Sequence, residues 1–239
     1  MTDIAGNLMQ VRERIAEAAS KSGREPDDVT LIAVTKTRSV EEVVAAYQAG
    51  VRHFGENRVR EGVSKIPDVR AAIADAQPTW HMIGHIQSRK AELAATHYDY
   101  VHSVDRLKIA RYLARFAGER GVTLPVLLEC NVSGEESKYG FNLPGGGRAA
   151  FFAQVEEILA LSHLSVHGLM TMAPFVDDPE TVRPVFADLR ALLDVLRERF
   201  PACDWRHLSM GMSNDFVVAV EEGATMVRIG RAIFGERMY

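Results

Sequence analysis

The side chains best able to do chemistry fall at one recurring place, just after an apolar run and just before a turn or helix start. Leu31-Ile32-Ala33-Val34-Thr35-Lys36-Thr37 carries four apolar residues into a lysine, and Ser39 with Glu42 then forms a Ser-x-x-Glu capping box. A continuous apolar run reads as a strand buried on both faces, as in parallel sheets. Lys36 therefore stands where a buried strand ends and a helix is about to begin. Desolvation at such a place penalises the ammonium form, and a neutral amine can attack an aldehyde to form a Schiff base. The structural alternative is a lysine that snorkels into solvent.

Two further stretches have the chemistry of an anion site. Ser209-Met210-Gly211-Met212-Ser213 lies between an apolar run and a helix start, where free amides and the helix dipole favour negative charge. Gly230 lets backbone approach the same anion closely, and Arg231 can supply charge. Equally, Ser213 could be only a cap and Gly211 only a turn. Arg228 sits inside Met226-Val227-Arg228-Ile229-Gly230, among apolar neighbours, and stays charged when buried. It needs an acceptor, either a ring nitrogen or a structural carboxylate.

The elements that must position these residues alternate along the chain. Apolar spacing predicts a first helix through Leu8, Val11 and Ile15. Eight strand-like segments follow, ending near Lys36, Asn57, Gly84, Val104, Val132, Met172, Met210 and Gly230, with helical segments between them. Repeated βα units in a chain of 239 residues predict an α/β fold, a single (β/α)8 TIM barrel over residues 1–239 with an extra N-terminal helix. Asn57, Asp105 and Ser213 are expected helix caps. Residues 134–147, rich in glycine, are expected to form a mobile surface loop. An open doubly wound sheet is disfavoured, because no Gly-x-Gly-x-x-Gly follows the first strand. In a barrel, reactive groups sit at the C-terminal strand ends. Those ends gather Lys36, Asn57, His81, Asp105, Asn131, Ser209, Arg228 and Gly230 into a polar rim.

Composition narrows the function classes. A net charge of −4 gives no basic field for nucleic acid or an acidic membrane. Apolar runs are too short to span a bilayer, and the first residues lack the pattern of a signal peptide. Cys130 and Cys203 form no Cys-x-x-Cys pair, so a reducing, cytoplasmic compartment is expected. His81 and His85 show no His-Glu-x-x-His pattern, and no metal is expected. Cys130 has no recognisable histidine partner and reads as a buried small residue.

Thr35-Lys36, Phe54-Gly55-Glu56-Asn57, Trp80-His81-x-Ile83-Gly84, Leu208 to Ser213, and Met226 to Gly230 with Ile233-Phe234-Gly235 together resemble the pyridoxal phosphate homeostasis proteins. That group is similar to the N-terminal barrel domain of alanine racemase. The likeness runs over almost the entire chain. It implies pyridoxal 5'-phosphate as cofactor, with its aldehyde carried on Lys36. It further implies Asn57 beside the ring, Arg228 at the pyridine nitrogen, and Ser209, Met210, Gly230 and Arg231 at the phosphate, with His81 in a family motif nearby. Arg231 stands where the family often carries a small hydroxyl residue, and Arg89 where it often carries asparagine.

A racemase needs a base on each face of the substrate carbon. Lys36 is one candidate; the other would come from a C-terminal domain, and the sequence ends at Tyr239. Tyr139 is a conceivable substitute. The resemblance therefore implies a monomeric carrier that buffers the cofactor and hands it to apoenzymes without committed turnover; an amino-acid racemase is the alternative. A Schiff-base aldolase would also use a strand-end lysine, but has no need of Arg228.

Overall fold

A computed structural model describes residues 2–73, 77–135 and 137–236. The parallel strands are β1 (Thr30–Val34), β2 (His53–Glu56), β3 (Thr79–Met82), β4 (Tyr100–Val104), β5 (Leu124–Asn131), β7 (Leu164–Met170), β8 (His207–Ser209) and β9 (Met226–Ile229). β1 pairs with β2 on one side and β9 on the other, and a β4–β5 pairing closes the ring. The expected (β/α)8 barrel is the observed fold. A two-residue strand, β6 (Phe141–Asn142), adds to the free edge at the end of β5.

The strands are short and mostly buried because helices cover their outer faces while side chains fill the barrel. Ile32, Tyr100, Leu127, Met170 and Met226 pack together as a small inner core. The larger core lies between sheet and helices, where Phe54, Trp80, Phe186 and Phe216 are fully buried. Helix α1 (Ile4–Lys21) turns Leu8, Val11, Ile15, Ala18 and Ala19 inward and is capped by Asp3, which accepts from the Gly6 amide at 2.9 Å. It packs on the helices α8 (Phe216–Glu221) and α9 (Arg231–Phe234), bracing the end of the chain that forms the rim.

Several local expectations change. Helix α3 (Val59–Ala72) begins after Arg58, so Asn57 does not cap it. Helix α5 (Leu107–Glu119) begins after Arg106; Asp105 instead accepts from Arg106 at 2.6 Å and contacts His85 Nδ1 at 2.8 Å. Asp215, not Ser213, stands at the start of α8. For Asp105 and Ser213 a tertiary partner, His85 and the Ala232 amide, takes the polar side chain in place of the local amide. The glycine-rich loop is anchored: Phe141 and Leu143 are buried, and Asn131 bonds to the Gly134 amide and the Glu135 carbonyl.

Candidate functional site

At the C-terminal rim a cavity of about 410 Å³ opens among the strand ends. That size suits a small-molecule ligand. Its lining includes Lys36, Asn57, Arg228, Gly230 and Arg231, all expected site residues, together with Met212, Ser213 and Asn214.

Lys36 is half-buried and follows β1 after Thr35. The backbone around it is held from both sides. Lys65 of α3 donates to the Thr35 carbonyl at 2.7 Å, to Glu56 at 2.9 Å and to Glu61 at 3.3 Å. The Thr35 hydroxyl donates to Glu56 at 2.7 Å, and the Thr37 amide donates to Glu61. Thr37 has φ of 63°, a left-handed conformation that a β-branched residue adopts only when its surroundings enforce it. The Ser39–Glu42 capping box then fixes the start of α2 (Val40–Gln48). Burial raises the Glu56 pKa, and the Lys65 charge opposes that rise.

Asn57 reaches the cavity from the end of β2, and its Oδ1 is buried without a partner among the described residues. An orphaned buried acceptor lining a cavity is a place for a ligand donor. Gly84 explains the Ile-Gly pair after β3: a Cβ there would lie 2.1 Å from the Asn57 carbonyl oxygen, so only glycine lets the two strand ends meet.

Arg228 is buried and is one of the residues that line the cavity. It donates to Ser209 Oγ at 2.6 Å and to the Thr171 carbonyl at 2.8 Å. Burial pulls its pKa down to about 10, against the nearby Asp215 and Glu129 carboxyls, and it remains charged near neutral pH. Three expected site residues lie behind it. Ser209 is fully buried and meets Arg228 from inside the barrel. His81 is buried between His53 and His102, which it meets through its two ring nitrogens, and is not among the cavity-lining residues. Met210 packs in the outer core and its amide donates to the Met226 carbonyl at 3.1 Å, so that amide is already engaged.

The groups free to hold an anion lie a turn further on. The amides of Ser213 and Asn214 have no partner among the described residues, and Arg231 contacts the Asn214 side chain. Ser213 Oγ accepts from the Ala232 amide at 3.2 Å, which ties this turn to α9. Gly211, with φ of 92°, makes the turn possible: a Cβ there would lie 2.6 Å from the Ala219 Cβ. The serine- and glycine-rich string signalled this corner; Ser213 and Asn214 line the cavity, and Ser209 and Met210 are not among its lining residues.

Glu129 was not anticipated. It is buried beside this site, its Oε2 has no partner among the described residues, and burial raises its pKa to about 8. Cys130 is buried with its thiol pushed far up, consistent with a packing role. Tyr139 is 54% exposed and stacks on His85 with ring centroids 3.8 Å apart; it is not among the cavity-lining residues. Tyr239 lies outside the described residues.

A closed parallel barrel with a lysine after the first strand and an arginine in the last defines a barrel of the alanine racemase type, and the chain matches the alanine racemase N-terminal domain family over residues 6–238. It is 43% identical to the pyridoxal phosphate homeostasis protein of Vibrio alginolyticus, with 100% of both chains covered. It is 41% identical to that of Escherichia coli K12, covering 100% of this chain and 99% of the relative. The solved structure of PipY from Synechococcus elongatus PCC7942 with PLP bound superposes with a TM-score of 0.80 at 36% identity, over 92% of this chain and 100% of that one. The chain belongs to the pyridoxal phosphate homeostasis protein family. No helix among the described residues is long and apolar enough to cross a membrane.

Proposed function

We propose that the chain binds pyridoxal 5'-phosphate in the rim cavity and serves as an intracellular, cytoplasmic reservoir that passes the cofactor to apoenzymes. One observation carries the reading: Lys36, Asn57 with its orphaned Oδ1, Arg228, and Ser213 and Asn214 with unengaged amides all line one cavity. These donors and acceptors fit a phosphorylated pyridine aldehyde. Lys36 is the amine for the aldehyde, Arg228 the donor for the ring nitrogen, Asn57 the residue beside the ring. Ser213, Asn214, Gly230 and Arg231 are the phosphate residues, with Ser209 a support for Arg228.

The cofactor supplies an electron-withdrawing ring that can stabilise negative charge on carbon. This chain's own residues restrain that power. A guanidinium at the ring nitrogen disfavours its protonation and weakens the ring as an electron sink. Tyr139 stacks on His85 and leaves Lys36 without that tyrosine as a second base. A racemase can work with so weak a sink, so the Tyr139 placement is what supports a carrier over a racemase. Purified protein should turn yellow on addition of pyridoxal phosphate, and Lys36→Ala should lose that colour while keeping its fold by circular dichroism. Rapid interconversion of amino-acid enantiomers by the wild type would overturn the non-catalytic reading.

A further inference from the structure

The barrel interior holds an unbroken line of polar contacts that the cofactor site does not itself require. His53 Nδ1 lies 3.0 Å from His81 Nε2, His81 Nδ1 lies 2.8 Å from His102 Nε2, and His102 Nδ1 lies 2.9 Å from Ser209 Oγ. Ser209 Oγ lies 2.6 Å from Arg228 Nη1. His81, His102 and Ser209 are each no more than 1% exposed. At the far end, His53 is half-buried and lines a second cavity with Arg12, Asp27 and Arg52.

We infer that His53, His81 and His102 form a neutral chain with a single polarity, set by Arg228, and that the chain positions Arg228 at the cavity. A guanidinium can only donate, so Ser209 Oγ must accept from it. The Ser209 hydroxyl then has one proton to place, and its other contact among the described residues is His102 Nδ1. Pointing that proton elsewhere would leave a buried donor unsatisfied, which costs about 1–3 kcal/mol. His102 Nδ1 is therefore an acceptor and its proton sits on Nε2. That proton faces His81 Nδ1, so His81 in turn carries its proton on Nε2 and donates to His53 Nδ1. His53 completes the series with its own proton on Nε2. Each imidazole is the Nε2–H tautomer.

A cation anywhere in the line would set two donors face to face. Burial drives the pKa of both inner histidines well below the ordinary range, and the charge of Arg228 lowers that of His102 further. Neutrality and polarity thus reinforce each other. The consequence for Arg228 is geometric: Nη1 is held by Ser209 and Nη2 by Thr171, which fixes the guanidinium plane. Its use toward a ring nitrogen rests on the carrier reading; the tautomers do not.

The experiment is long-range proton–nitrogen correlation on ligand-free protein labelled with ¹⁵N-histidine, near pH 7. All three residues should show protonated Nε2 and unprotonated Nδ1. Ser209→Ala should convert His102 from one tautomer to a mixture, and Ser209→Thr should restore the single form. A protonated Nδ1 on His81 or His102, or an imidazolium at either, overturns the inference in wild-type protein whether or not the variants fold. Loaded with pyridoxal phosphate, Ser209→Ala should shift the pH dependence of the cofactor's absorption and Ser209→Thr should restore it. Absence of that shift would overturn the positioning role. Wild type that takes up no cofactor would remove the carrier reading, leaving the tautomer result to decide the chain alone.

Discussion

Lys36 and Arg228 line the same cavity, yet the groups behind them differ in kind. Behind Lys36, between α3 and the strand ends, lies a compact set of full charges: Lys65 with Glu56 and Glu61, gripping the backbone of Thr35 and Thr37. Behind Arg228, inside the barrel, lie a serine and three imidazoles. The difference follows from what each must hold. A strained backbone segment needs strong acceptors and donors at several atoms, and a buried ion set supplies them through charge-assisted hydrogen bonds. A guanidinium that must keep its own charge needs acceptors without a competing cation. One region is rigid because its charges are paired, the other because its protons are ordered.

Substitutions at the two cations should separate these designs. Lys65→Met strands the buried Glu56 carboxylate beside the partly exposed Glu61, and breaking such a buried pair costs about 3–5 kcal/mol. Thermal unfolding should fall by roughly 6–20 °C for a domain of this size. Arg228→Met breaks no direct ion pair; it removes a favourable charge near Asp215 and Glu129 and leaves Ser209 and Thr171 without a donor, a loss of about 1–3 kcal/mol by denaturant titration. If Arg228→Met proves the more damaging of the two, the contrast between paired charge and neutral chain is wrong.

Glu129 sharpens the comparison by pH. Its pKa in the fold is raised to about 8, above the ordinary carboxylate range. The folded state therefore binds this proton more tightly than the unfolded chain. The stability it contributes is complete below the ordinary carboxylate pKa and is lost as pH rises through about 8. Glu129→Gln mimics the protonated acid, so it should match the wild type near pH 4 and exceed it in stability above pH 8. A difference independent of pH would show that Glu129 stays ionised. The smallest effect is expected at Thr37. Its φ of 63° is strained for a β-branched residue, and Thr37→Gly should relieve that strain. Offset by glycine's greater flexibility in the unfolded chain, the gain should be about 0.5–1 kcal/mol by denaturant titration.

The barrel was legible because its strands are apolar runs at regular intervals with helical spacing between them. The two-residue β6 carries no such pattern; its pairing depends on the end of β5 being there to receive it. The cap assignments at Asn57, Asp105 and Ser213 failed because each side chain has a nonlocal use or neighbour that spacing does not reveal. For the site, residue type and strand end were enough to gather Lys36, Asn57, Arg228, Gly230 and Arg231 at one rim. Depth was not legible. Ser209 and Arg228 both face the barrel interior, and the stagger of the strands decides which of them reaches the cavity and which lies beneath. His81 is the same case, one layer deeper. Lys65 read as an ordinary helix lysine because its acceptors come from Thr35 and Glu56, which are distant in sequence.

The central claim is that one amine, Lys36, takes the cofactor's aldehyde. Borohydride reduction of the loaded protein followed by peptide mass mapping addresses it directly. The account predicts a pyridoxyl group on Lys36 and none in Lys36→Ala; a group found chiefly on Lys65, Lys90 or Lys138 would contradict it.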